Sequence, residues 1–369
     1  MLLLMAVLGV VSLTVWREFC PSPDEGDGER DAIFASESLS PQLSPPATNE
    51  TFTLFAAGDI MLGRGVGELI ERNGPEYPFQ VMQPIISKAD IAFANLESPI
   101  TPNGQLVHPR NRMIFSAKPI AVRGLVYAGF DVLSVANNHA TDFGIQSLTD
   151  TLEILHQNGI MSCGGGRSYE EAHQPALIEV KGIKVAFLAY NEVPGSIRAK
   201  SGQGGVAWAD ISMAQKDVKE ARKVADVVII SMHMGKEYVD FPQGFYQRRF
   251  VMDFAHAVIE AGADIVLGHH PHTPQGIGFY KSKLIAYSLG NFVFDQREPW
   301  RHSICLWLEI SKEGFIRQMQ VIPVYIDRCQ PKPSTGVIRE RMIKKMLKIS
   351  WTPLTFMPIE ELPIDGVRR

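Results

Sequence analysis

Residues 265–272 read Ile-Val-Leu-Gly-His-His-Pro-His. An apolar run of strand length passes here without a spacer into three imidazoles, and three imidazoles within four residues on a buried strand end have little structural use. The same grammar recurs at four other places. Phe52 to Ala57 leads into Gly58-Asp59, and Ile91 to Ala94 leads into Asn95-Leu96-Glu97. Val132 to Ala136 runs into Asn137-Asn138-His139, and Val227 to Met232 into His233-Met234-Gly235. Val185 to Tyr190 is a further apolar run. Continuous runs of this kind mark strands buried on both faces. Amphipathic stretches of helical period lie between several of them, at Ile145 to Gln157, Met213 to Ala225 and Gln247 to Ala261. This alternation predicts an α/β fold. A strand-rich end, clearest at Lys283 to Phe294 and Ile304 to Ile310, precedes a basic amphipathic helix near Val337 to Ile349.

Ligands of open α/β sheets bind beyond the carboxyl ends of the strands, so five such ends can converge on one crevice. Of the ten histidines, five (His139, His233, His269, His270 and His272) fall in these motifs. Singly, each motif has a plain structural explanation. Asp59 suits a turn or helix cap, Glu97 a solvated loop before Ser98-Pro99, and Asn137-Asn138-His139 a capping turn. His233 suits a buried histidine bonded to backbone. Jointly, histidines, carboxylates and an amide suit a divalent Zn, Mn or Fe ion.

The 369-residue chain is 45% hydrophobic and 21% charged, which excludes wholesale disorder and suffices for one large domain with appendages. A net charge of −4 and a pI near 6.2 offer a nucleic-acid backbone no basic excess, and no nucleic-acid motif is found, so nucleic acid is not an expected partner. Cys20, Cys163, Cys305 and Cys329 are scattered, giving neither a zinc knuckle nor a dense disulfide framework. Met1 to Trp16 carries no charge and is almost wholly apolar. It falls slightly short of the roughly 20 residues that cross a bilayer, and no basic residue precedes it, which puts Met1 as the true start in question. An uncleaved membrane anchor over 1–19 is the expectation, with a cleaved signal peptide and a soluble protein with an apolar end as the competing readings. Residues 20–50 are acidic and rich in Ser and Pro, a composition that predicts a disordered tether. The main domain is expected over 51–330, with the basic helix and a tail over 331–369.

Six ordered motifs carry a resemblance. They are Phe55-Ala-Ala-Gly-Asp-Ile-Met-Leu-Gly-Arg64, Ala94-Asn-Leu-Glu97, Val135-Ala-Asn-Asn-His139, His233-Met-Gly-Lys-Glu-Tyr238, Gly268-His-His-Pro-His272 and Tyr287-Ser-Leu-Gly-Asn-Phe-Val-Phe-Asp295. Over about residues 52 to 296 the chain resembles the bacterial capsule-synthesis CapA family, called PgsA in poly-γ-glutamate systems. That family is itself related to calcineurin-like metallophosphoesterases. The resemblance implies a central β-sandwich flanked by helices in α-β-β-α layers. It also implies a single-pass, membrane-anchored protein whose main domain is extracellular. Its expected partners are an anionic capsule polymer such as poly-γ-glutamate and other membrane capsule-synthesis proteins.

Carried over residue by residue, the phosphoesterase pattern makes Asp59 a ligand from the first strand and Glu97 the bridging carboxylate. Asn138, His233, His270 and His272 complete the set for one or two divalent ions, and His139 stands beside them as general acid. The pattern favours His270 with His272. Since side chains alternate along a strand, His269 is then expected to face away if extended geometry persists through Gly268-His-His. Arg64 is a candidate to hold a phosphate or a γ-glutamyl carboxylate, or else a surface residue. Asn291 and Asp295 either orient the ligating histidines from behind or form a capped hairpin turn. Two departures stand out: Met61, a thioether and poor ligand, occupies the position of the usual histidine, and Asn95-Leu96-Glu97 replaces Gly-Asp-x-x-Asp. A metal-dependent hydrolase of phosphoesters or amides of a capsule polymer, a non-catalytic polymer-guiding component and a metallophosphoesterase of unrelated substrate all fit. Arg17 alone would favour a cytoplasmic body, against the extracellular side implied by the family.

Overall fold

The computed structural model describes residues 50–102, 113–240 and 245–362. The expected anchor over 1–19, the tether up to residue 49 and the tail over 363–369 lie outside them. The described residues form two large mixed sheets. The nine-stranded sheet runs in the order Gln330–Pro333, Ile316–Asp327, His302–Ser311, Thr51–Ile60, Ile91–Leu96, Val132–Ser134 and Met161–Cys163. Asn291–Val293 pairs with the end of Thr51–Ile60, and Thr355–Phe356 with Ile316–Asp327. The six-stranded sheet runs in the order Ile277–Tyr280, Lys283–Ala286, Ile265–His269, Val227–His233, Ile183–Asn191 and Ala176–Val180. Each sheet holds a parallel set, from Thr51–Ile60 to Met161–Cys163 in one and from Lys283–Ala286 to Ile183–Asn191 in the other.

Strand alternation sorts the side chains into three cores. Phe52, Leu54, Ala56, Ile91 and Phe93 of the first sheet meet Val185, Phe187, Val227, Ile229, Ile265 and Leu267 of the second. Phe93 stacks on Phe187 across this interface with ring centroids 5.3 Å apart. On the outer face of the first sheet, Ala92, Ala94 and Leu133 pack with Val66, Ile70, Leu125, Leu148 and Leu155 from three helices. On the outer face of the second, Ala186, Leu188, Val228 and Ile230 pack with Ala214, Val218, Phe254 and Val258 from two more. The sheets are thus flanked by helices, a mixed α/β arrangement. Burial on both faces is why these strands read as unbroken apolar runs.

The helix Ile145–Gln157 shows how the sequence writes one covering element. Leu148, Leu152 and Leu155 recur at the three- and four-residue spacing that places them on one face, and the helix stops before Gly159 at φ 76°.

Two expected segments differ from the structure. Lys283 to Phe294 is not one strand: Lys283–Ala286 belongs to the six-stranded sheet, whereas Asn291–Val293 belongs to the nine-stranded one. The chain crosses between the sheets and turns at Gly290, whose φ of 75° suits glycine. Continuous apolarity hides such a switch, because both halves are buried. The expected boundary at 330 falls inside the strand Gln330–Pro333. Helix Gly336–Ile349 then sends Met342, Met346 and Ile349 into the inter-sheet core and leaves Arg341, Lys344 and Lys348 exposed. Among the described residues, no helix is long and apolar enough to cross a membrane.

Candidate metal centre

The two parallel sets end at the same edge, where polar side chains gather between the sheets. Glycine makes the close approach possible: a Cβ on Gly58 would stand 1.8 Å from the Gly290 carbonyl oxygen, and one on Gly268 would stand 1.9 Å from that of Tyr287. The pairing of the first two strands shifts register between Ala56 and Asp59, so that Asp59 sits opposite Asn95. Such irregularities re-aim a side chain. Here the Asp59 carboxylate meets the second sheet.

Asp59 Oδ1 accepts the Asn95 amide at 2.9 Å and lies 3.1 Å from His269 Nδ1. Its Oδ2 accepts the His270 backbone N–H at 3.3 Å and lies 3.6 Å from His272 Nδ1. Glu97 Oε1 is 3.8 Å from His233 Nε2 and 3.8 Å from His272 Nε2. Asn138 Oδ1 is 2.9 Å from His233 Nε2, and the His233 and His270 ring centroids are 4.9 Å apart. One ligand atom from each of Glu97, His270 and His272 lies within 4.8 Å of the others, and the same holds for Asp59, Glu97 and His233. The five strand ends therefore meet around one small space. Asp59, Glu97, His233, His270 and His272 are buried there, and Asn138 is half-buried.

The electrostatics of this space are out of balance. Both carboxylate oxygens of Glu97 are buried without a hydrogen-bond partner among the described residues, as are His269 Nε2 and His270 Nδ1. Burial, then the neighbouring Asp59 and Glu237 charges, pushes the Glu97 carboxyl well above its usual range. Burial, then the surrounding histidines, pushes His233 well below the usual imidazole range. Burial and His272 bring His270 down to about 3. His233 and His270 are thus held neutral, the form that ligates metal. His270 and His272 also take positive φ, 93° and 56°, a backbone cost of order 1–3 kcal/mol each that ordinary turns avoid.

A divalent cation fits this donor set. Bonds of about 2.0–2.3 Å to imidazole and carboxylate place neighbouring ligand atoms roughly 3–4 Å apart, and the Glu97–His233 and Glu97–His272 separations are both 3.8 Å. A cation here would also neutralise the two unpartnered oxygens of Glu97.

The remaining candidates take varied positions. His139 is buried, stacks on Phe115 at 3.9 Å and holds Asp142 Oδ2 through Nδ1 at 2.8 Å. Asn291 Oδ1 lies 2.8 Å from His272 Nδ1 and so orients that ring. Asp295 differs from expectation: its carboxylate binds both the Arg64 guanidinium and the Gly65 N–H, and no bond joins it to a histidine among the described residues. Arg64, which also lies over the Phe115 ring, is accordingly engaged by Asp295. Met61 packs in the outer core and accepts the Gly63 N–H at 3.1 Å through its sulfur.

His269 corrects the register argument. It continues the inward face of Ile265 and Leu267, reaches Asp59 and is buried beside Phe93. Extended geometry ends at His269, and the positive φ of His270 lets the next residue face the same space. Three further residues went unassigned in the sequence. Asn95 bridges Asp59 and His233 Nδ1, the latter at 3.3 Å, while Asn137 supports Asn95 at 3.2 Å. Asn95 shares its strand face with Glu97 two positions on, a signal that alternation alone offers. Asp142 stands three residues after His139, with no periodicity to announce it.

Comparison with known proteins agrees with the motif order. Residues 53–296 match the family model of the bacterial capsule synthesis protein PGA_cap. The chain is 35% identical over 325 residues to the PGA biosynthesis protein CapA of Bacillus subtilis, covering 86% of this chain and 83% of that one. It is 32% identical over 308 residues to the capsule biosynthesis protein CapA of Bacillus anthracis, covering 81% and 73%. Solved structures align loosely: a 5′-nucleotidase precursor from Thermus thermophilus superposes with a TM-score of 0.40 at 13% identity, over 81% of this chain and 58% of that one. With its strand-end motifs inside the matched span, the chain belongs to the bacterial capsule synthesis protein family PGA_cap.

Proposed function

We propose that this protein is a metal-dependent hydrolase of capsule synthesis, cutting a phosphoester or a γ-glutamyl amide of an anionic cell-surface polymer such as poly-γ-glutamate. The observation that carries this reading is Glu97. A fully buried carboxyl whose oxygens both lack donors among the described residues, facing His233 and His272 at 3.8 Å, is costly to keep in a purely structural role. Asp59, Glu97, Asn138, His233, His270 and His272 would hold one or two ions. Once bound, such ions supply positive charge that polarises the bond under attack and acidifies the attacking water.

The chain's own groups do the rest. Asp142 fixes the His139 ring through Nδ1, leaving Nε2 to pass a proton to the leaving group. Asn291 sets the tautomer of His272, and Asn95 ties Asp59 to His233, so the ligands keep their orientation when the site is empty. The membrane anchor, an extracellular main domain and cooperation with other membrane capsule-synthesis proteins belong to the same proposal, supported by the family and by the apolar run Met1 to Trp16.

A second reading, a non-catalytic component that binds and guides the polymer, is favoured by Met61, whose sulfur is turned into the core where phosphoesterases use a ligand. Metal-loaded protein assayed against phosphoester and γ-glutamyl substrates, with and without chelator, separates the two. Chelator-sensitive turnover that His139→Ala abolishes supports the hydrolase. Metal binding with no turnover on any substrate leaves the guiding role.

A further inference from the structure

Tyr238 closes the last of the His233-Met-Gly-Lys-Glu-Tyr motif and has no part in the ligand set. Three features of its position are unusual. It is a bulky residue at φ 61°, a strained backbone held in place by the bond from its N–H to the Pro271 carbonyl at 2.8 Å. Its ring stacks on His272 with centroids 5.7 Å apart and packs against Trp300 at 4.5 Å, yet the residue remains 38% exposed. Its phenol oxygen terminates a directed chain of hydrogen bonds that begins at His272.

The direction of that chain follows from one backbone carbonyl. Asn291 Nδ2 lies 3.3 Å from the Trp300 carbonyl oxygen, which can only accept, and this fixes which end of the amide carries hydrogens. The same Nδ2 donates to Gln296 Oε1 at 2.8 Å, so Gln296 Nε2 is the donor to the Tyr238 oxygen at 3.1 Å. On its other side Asn291 Oδ1 accepts from His272 Nδ1, leaving His272 Nε2 free toward Glu97. The phenol accepts at its oxygen, and its own O–H makes no hydrogen bond among the described residues. A half-exposed phenol is thus held against a candidate metal ligand with the donor capacity of its O–H unused among the described residues.

We infer that Tyr238 is a substrate-binding residue of the metal centre, donating its O–H to an oxyanion, carboxylate or phosphoryl, seated on the ions. The inference rests on the metal reading proposed above. It assigns an oxyanion contact that Arg64, bound to Asp295, does not make in this arrangement.

The test uses the full chain loaded with Mn²⁺, with inorganic phosphate and a γ-glutamyl dipeptide as separate probes and calorimetry as the readout. Tyr238→Phe keeps the ring on His272 and removes only the hydroxyl. It is expected to retain the Mn²⁺ content and melting temperature of the parent while binding at least one probe about tenfold or more weakly, the usual worth of a hydrogen bond to a charged group. The probe that weakens identifies the oxyanion. Undiminished affinity for both probes overturns the inference and leaves the metal site standing. Loss of Mn²⁺ from the variant also overturns it, since Tyr238 would then act by supporting His272. Failure of the parent protein to take up metal removes the metal reading and this inference together.

Discussion

The strand Ile265–His269 carries a buried polar cluster at each end, and the two are built on opposite principles. At its start, the Asp264 carboxylate is 1% exposed and fully answered: Lys283 Nζ meets Oδ1 at 2.5 Å, while Arg222 Nη1 and the Val228 N–H meet Oδ2 at 2.8 and 2.9 Å. At its finish, His269, His270 and the nearby Glu97 retain buried atoms with no hydrogen-bond partner among the described residues, and His270 and His272 take positive φ. A structural cluster completes its own hydrogen bonds. A binding cluster leaves them for a guest, and its unfolded competitor gains accordingly.

Substitutions sharpen that contrast. The largest effect is expected from His233→Ala, which should weaken Mn²⁺ or Zn²⁺ binding by more than the roughly 10–100-fold typical of losing a residue behind the ligands, as read by calorimetry. Unchanged affinity would mean that His233 is a core residue after all. Next, Asp264→Ala should lower stability by about 3 kcal/mol in urea denaturation, the lower end for breaking a buried pair because Arg222 and Lys283 keep some solvent contact. Its metal affinity should equal that of the parent, and any coupled loss would erase the distinction between the two ends.

Smaller changes probe the support around the ligands. Asn291→Ala frees the His272 ring and should cost about tenfold in metal affinity with little change in melting temperature. His269→Ala should also weaken metal binding by loosening Asp59, against the sequence expectation that His269 faces away. Equal metal binding by the His269→Ala protein and its parent would restore that expectation. The smallest effect is the sign of Glu97→Gln in metal-free protein. Removing a buried, unpaired acid should leave stability within about 1 kcal/mol of the parent or raise it, whereas Asp264→Asn should lower it. A loss at Glu97 as large as at Asp264 would place both in the structural class.

Much of this was legible because the physics is local. The six apolar runs became strands since burial on both faces demands unbroken apolarity, and Ile145–Gln157 matches its helical period end to end. The strand-end motifs could be read because the chemistry follows each run directly. What escaped depends on events that periodicity does not encode. The switch of sheet at Gly290, the re-aiming of Asp59 and the left turn at His270 each break the two-residue rhythm. Met161–Cys163 is an edge strand of three residues, too short to show a period, and Ala176–Val180 is a partly exposed edge strand without a continuous buried run. The pairing of Arg64 with Asp295 joins residues 231 positions apart, which no local reading supplies.

The central claim is that the strand ends form a metal site, and metal content tests it most directly. Full-length protein, stripped with chelator and then equilibrated with Mn²⁺, Zn²⁺ or Fe²⁺, is analysed for bound metal beside Glu97→Ala treated identically. One or two ions per parent chain are expected, lost again on chelation, with a clear deficit in the variant. A parent that retains none of the three metals, or a Glu97→Ala protein that retains as much as the parent, contradicts the claim.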